Sequence, residues 1–255
     1  MKQRNWWSVA VAVLMLAALL VGCGKAAMTG AEDNSEVALT DTILWFNGTY
    51  AVLTSVNEWD YRYVGGLPAN AKNSETGKQL LDDWWGVTDR QSADETLTWL
   101  LTEGHRFEFN DTMNYYGEEG LADVPQADRV TWFLENFEAT EEEAEAIVNW
   151  YDLYEAGGEN TIAAWDYSRA MSLLGYYYLA GYYTETEALD KSLELAKEIQ
   201  SSFGSWDEFM EGYFIGYEYW ADEDSAERRG IYEDLKADAD SPYHLDFGMT
   251  LEKSW

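Results

Sequence analysis

Apolar residues recur at helical spacing along most of the chain, and the clearest run lies between residues 165 and 220. A helix is predicted over about 161–180, ended by Gly181, a residue type that readily takes the left-handed conformation closing many helices. Thr184 with Glu187 predicts a capping box opening a second helix, with Leu189, Leu193, Ala196 and Phe203 as its stripe and Gly204 as its stop. Ser205 with Glu208 predicts another box, for a third helix carrying Trp206, Phe209, Tyr213, Phe214, Tyr217 and Trp220 up to an acidic break at 221–224. Connections this short predict antiparallel neighbours.

The same reading gives a helix over 41–57 and an irregular segment to 73. Ser74 then caps a short helix ending near Trp85 and Gly86, and Asp89 caps another with Ala93, Leu97, Leu100 and Leu101 on one face and Gly104 as its stop. Residues 106–125 are the least periodic and predict a long loop with a strand-like turn at 107–109. Helix returns over 126–137, and Thr140 with Glu143 makes a third capping box for a helix reaching about Glu155. Ser225 is placed to cap one more, and Tyr243, Leu245, Phe247 and Trp255 predict a tail that docks on the body. With only three prolines in the chain, the expected fold is all-α: a single compact multi-helix domain over 38–255, built on antiparallel helix hairpins.

The first residues follow a different logic. Lys2 and Arg4 precede an unbroken apolar run over 9–21, too short for a membrane span of about 20 residues and suited to the core of a signal peptide. Leu20-Val21-Gly22-Cys23 resembles a bacterial lipobox, which implies a lipoprotein signal peptide over 1–22, cleavage after Gly22 and lipidation of Cys23, the one cysteine in the chain. No intrachain disulfide is therefore available. Residues 23–37 read as a lipid-anchored flexible tether, about 20 Å long as a random coil.

Charge narrows the partners. The net charge of −32 becomes −34 once residues 1–22 are removed. Phosphate binding needs a basic patch, so nucleic acid is excluded, and contact with the membrane is expected through the lipid anchor only. There is no calcium loop, no HExxH and no Gly-rich phosphate loop, so neither a metal nor a cofactor is expected.

An ordered set of short motifs adds an identity for the fold. Trp85-Gly86-Val87-Thr88-Asp89-Arg90, Trp99-Leu100-Leu101 with Gly104-His105-Arg106, and Ala164-Trp165-Asp166 with Arg169 come first. Gly181-Tyr182, Glu187-Ala188, Gln200 and Ser205-Trp206 complete it. Over 84–220 the chain resembles the bacterial domain-of-unknown-function family numbered 1266. The resemblance implies a helical domain and brings no activity or ligand; a lipobox is not part of the family pattern.

Candidate chemistry gathers on Asp89, Arg90, His105, Arg106, Trp165, Asp166 and Arg169. Asp166 and Arg169 stand one helical turn apart, so a structural ion pair is expected. The functional alternative is an anion clamp of Arg169 with Arg90 or Arg106, walled by Trp165. His105 follows a helix-ending glycine, where imidazole is expected to bond the last carbonyls; a dyad with Asp89 or Asp166 is the alternative for acid/base work. No catalytic residue is assigned. The expected function is a lipid-anchored extracytoplasmic binding module for a protein or small molecule, and the rival is a hydrolase of cell-envelope glycan or peptide. Burial of the polar groups as helix locks favours the first, and an open cleft around them the second.

Overall fold

Side-chain caps and one helix that is apolar on every side account for most of the architecture. The computed structural model describes residues 39–255; the expected signal peptide 1–22, lipidation site Cys23 and tether 23–37 lie outside the described residues. In order come α1 (Asp41–Gly48), α2 (Ala51–Val56), α3 (Ala71–Trp85), α4 (Arg90–Thr102), α5 (Gly104–Glu118), α6 (Arg129–Asn136), α7 (Glu141–Gly157), α8 (Ala163–Ala180), α9 (Glu185–Ser202), α10 (Trp206–Ala221) and α11 (Ala226–Ala237). Short 3-10 turns join several of them. No strand occurs among the described residues, and the chain is all-α. No helix among them is long and apolar enough to cross a membrane.

The core is organised on α8. All its residues are buried except Arg169 and Tyr178. Such a helix has no face to give to solvent and must be enclosed. Helices α3, α4, α9 and α10 enclose it, together with the turn at Val64–Gly66. That turn comes very close: a Cβ at Gly175 would lie 2.7 Å from the Gly65 Cα, and Gly65 itself has φ 74°. The Tyr50 hydroxyl holds the crossing by accepting from the Gly65 N–H (3.1 Å) and donating to Asn47 Oδ1 (2.6 Å). Phe109, Met113, Leu121, Tyr151, Ile162 and Ile215 form a second apolar cluster, and Phe133, Ala144 and Val148 a third.

Several local expectations change. The helix over 41–57 breaks at Thr49–Tyr50, where the Thr49 hydroxyl donates to the Phe46 carbonyl (2.7 Å) and Tyr50 turns toward Gly65. Asn70, rather than Ser74, caps α3 by accepting from the Asn73 N–H. Most of the predicted loop at 106–125 is α5, with no strand-like turn at 107–109; Gly104 both follows α4 and opens α5. Phe203, in extended conformation, ends α9 in place of Gly204.

Of the three expected capping boxes, only that of Thr140 with Glu143 is reciprocal. Glu187 leaves its box to pair with Arg90, and Glu208 reaches one residue further back, to the Gly204 N–H. Ser225 makes no side-chain cap; its hydroxyl serves Glu218 and Arg229. Asp89 caps α4 as expected and forms a further box with Ser92.

The tail does dock. The Trp45 and Trp206 indole N–H groups donate to the carbonyls of Phe247 and Leu245, each at 3.0 Å, and Gln200 Nε2 holds those of Phe247 and Met249.

Two substitutions test the packing at glycines. Gly175→Val is expected to cost about 3 kcal/mol, because the Gly65 backbone cannot withdraw. Gly230→Ala, in α11 with open space around it, is expected to add roughly 0.5–1 kcal/mol. Chemical denaturation of the two variants measures both.

Candidate functional site

Asp166 stands in the first turn of α8 and is 0% exposed. A buried carboxylate needs donors to replace water, and α5 supplies them. Oδ1 accepts from the His105 backbone N–H and from His105 Nδ1–H, both at 2.9 Å. Oδ2 accepts from the Arg106 backbone N–H at 3.0 Å and from Arg106 Nη1 at 3.1 Å. The two backbone groups are first-turn amides that have no partner inside their own helix, so α8 caps α5 from outside. Gly104 makes room: its φ is +62°, and a Cβ there would collide with the carboxylate.

Arg106 also closes the preceding helix, donating to the carbonyls of Leu100 (2.9 Å) and Leu101 (2.6 Å). The carbonyl-binding role expected of His105 therefore falls to its neighbour. The expected Asp166–Arg169 pair does not form, because the Asp166 oxygens are taken by α5.

Arg169 takes another course. Its guanidinium carbon lies 4.4 Å from the ring centre of Trp85, 4.7 Å from Trp165 and 4.8 Å from Trp220. Three helices thus supply three indole faces to one cation, each interaction reaching about 2 kcal/mol where water is excluded. Burial pushes the Arg169 pKa down to about 10, partly offset by the charge of Asp166. It remains protonated near neutral pH, with no carboxylate at ion-pair distance among the described residues. Arg169 Nη1 and Trp165 Nε1 are both buried without a hydrogen-bond partner there.

The aromatic surface continues past the cage. His105 packs edge-on to Trp99 (5.1 Å), Trp165 (6.4 Å) and Trp220 (6.4 Å). Trp99 and Trp220 are 38% and 45% exposed, whereas the side chains of His105 and Arg106 are 19% and 15% exposed.

Structure thus brings together His105, Arg106, Trp165, Asp166 and Arg169 but sends Asp89 and Arg90 elsewhere. Asp89 is occupied by the α4 cap. Arg90 pairs with Asp94 and Glu187, donates to the Tyr182 carbonyl and lies over the Tyr183 ring. The expected clamp of Arg169 with Arg90 or Arg106 is not assembled, since both partners are committed to other groups. Trp85, Trp99 and Trp220 belong to the site without having been singled out as binding residues; the Trp220 helical stripe was the available signal.

Chemically, Asp166 orients the His105 imidazole as a carboxylate orients a general base. The same carboxylate is held by Arg106 and two amides, however, and the imidazole is walled by indoles. Asp166→Ala is expected to cost about 3–5 kcal/mol by leaving Arg106 and two amides unmatched, and His105→Ala about 1–2 kcal/mol. Urea unfolding of both variants measures the difference.

No curated protein and no solved structure matches this chain. A family described as "Protein of unknown function (DUF1266)" matches residues 80–247, which include every side chain of this cluster. The match covers more than half of the sequence, and the chain belongs to that family.

Proposed function

We propose that this chain is a non-catalytic binding module, held at the extracytoplasmic face of the cell membrane by lipid on Cys23, that takes an acidic ligand on the aromatic face around Arg169. The carrying observation is the guanidinium itself, caged by Trp85, Trp165 and Trp220 and lacking a described carboxylate partner. A cation kept charged at the cost of desolvation is stabilised when an anion arrives, and a carboxylate matches its planar donor fork. The exposed rings of Trp99 and Trp220 would cover the apolar or sugar portion of such a ligand.

The membrane half of the proposal rests on the charged, apolar and Leu-Val-Gly-Cys sequence of residues 2–23. A strongly acidic body is repelled by anionic headgroups and stands off on its tether. The rival, a hydrolase of envelope glycan or peptide, draws on the His105–Asp166 contact. Against it stands the use of Asp166 as a helix cap inside the protein, with no open cleft around its oxygens.

Cys23→Ser is expected to move the protein from the membrane fraction to the soluble fraction; retention in the membrane refutes the anchor. For binding, the full-length protein in detergent is scanned thermally against aromatic and aliphatic carboxylates and acidic envelope fragments. A ligand at ten times its Kd is expected to raise Tm by about 3–5 °C, and Arg169→Gln to abolish that rise. No response in the parent, with a much less stable Arg169→Gln, makes Arg169 a structural lock and overturns the binding site.

A further inference from the structure

A second arginine stands apart from the ion-pair pattern. Among the described residues, Arg62, Arg90, Arg106, Arg129 and Arg229 each have a carboxylate partner. Arg228 has none, although three carboxylates share its surroundings. It lines a recess of about 370 Å³ with Val56, Tyr217, Glu223, Asp224 and Glu227, in the lower part of the range of small-molecule sites, ~300–1,000 Å³.

The guanidinium is fixed before any ligand arrives. Nη1 donates to the hydroxyl of buried Tyr213 at 2.7 Å, and the guanidinium carbon stacks 4.1 Å from the centre of the Tyr217 ring. None of its N–H groups has a carboxylate partner among the described residues. The acids are placed by the turn between α10 and α11, where Asp222 takes φ 55° and reverses the chain. Glu223 accepts from the Tyr217 hydroxyl (2.9 Å) and Asp224 from the Ala226 N–H (2.9 Å), so both point by fixed contacts. Glu227 is exposed and has no described partner. Adjacent Arg229 shows what an ordinary surface arginine does here: it pairs with Glu211 through both terminal nitrogens, at 2.6 and 2.9 Å.

One preorganised cation and three acids in one recess suit a ligand bearing both charges. A simple dicarboxylate meets three like charges, and a simple diamine leaves the Arg228 fork unused. We propose that this recess binds an amine–carboxylate ligand of the amino-acid class, its carboxylate on Arg228 and its ammonium among Glu223, Asp224 and Glu227. The excess of acid favours a ligand with a second amine. This site is separate from the aromatic face around Arg169 and does not rest on it.

The test uses the full-length protein in detergent at constant ionic strength, with lysine, lysinamide, cadaverine and glutarate as probes. Lysine at ten times its Kd is expected to raise Tm by about 3–5 °C. Each of the other three is expected to bind at least tenfold more weakly in isothermal titration. Arg228→Gln should weaken lysine at least tenfold. Because that change also removes a partner of buried Tyr213, Glu227→Gln is the second variant: it alters an exposed side chain, should melt like the parent and should weaken lysine several-fold. Arg169→Gln should leave the lysine response in place, which separates this site from the aromatic face. The proposal is overturned by the absence of any response to lysine, by lysinamide, cadaverine or glutarate binding as tightly as lysine, or by full lysine affinity in Arg228→Gln or Glu227→Gln.

Discussion

A carboxylate shut away from water has to recover its hydrogen bonds from the protein, and Asp166 recovers all of them from one neighbouring turn. Two backbone amides, an imidazole and a guanidinium converge on its oxygens. Through Arg106 the same point reaches the open carbonyls of α4. Three helices are therefore fixed by one buried charge, and the cation cage around Arg169 is built one turn further along the same α8. The aromatic face inherits its geometry from that lock: His105, oriented by Asp166, is the ring against which Trp99, Trp165 and Trp220 are set.

Legibility in the sequence tracked how local each signal was. Helix α8 declared itself by apolar residues at helical spacing and Gly181 at its end, and Thr140 with Glu143 gave a true box. Helix α5 did not, because its cap comes from Asp166, 61 residues away, and no neighbour of Gly104 announces it. The Asp166–Arg169 pair failed for a related reason. Helical spacing puts the two within reach, but a buried carboxylate is claimed by the donors with the best geometry, and a helix N-terminus presents several at once. Five of the seven residues singled out lie together, with the His105–Asp166 contact among the pairings anticipated, whereas the Asp166–Arg169 pair and the arginine clamp do not form. Trp85, Trp165 and Trp220 meet only once three helices have packed, and nothing in a one-dimensional pattern carries that convergence.

Scarce cations explain much of the remaining surface. With 48 acids against 16 bases, self-repulsion is a standing cost, and most described arginines are spent as bridges between helices. Arg90 ties α4 to α9, Arg129 ties α6 to Asp152 and Glu155 of α7, and Arg229 ties α11 to α10. Against that background, the two arginines without a carboxylate are conspicuous on physical grounds alone: each is stacked on aromatic rings, where orientation is retained and the charge is left uncancelled.

The docked tail has a kinetic consequence. Thr40 and Ser254 meet through their hydroxyls at 3.2 Å, the Thr42 hydroxyl accepts from the Glu252 N–H, and Trp45 is covered by Phe247. The first described helix to emerge in synthesis is thus among the last to be enclosed, waiting for residues some two hundred positions later. Closure of so long a loop is entropically slow and leaves Trp45 and Phe46 as uncovered apolar surface until it happens. A nascent chain of this protein therefore keeps part of the apolar face of α1 uncovered until its last residues emerge, and any shielding factor it meets has that segment to hold.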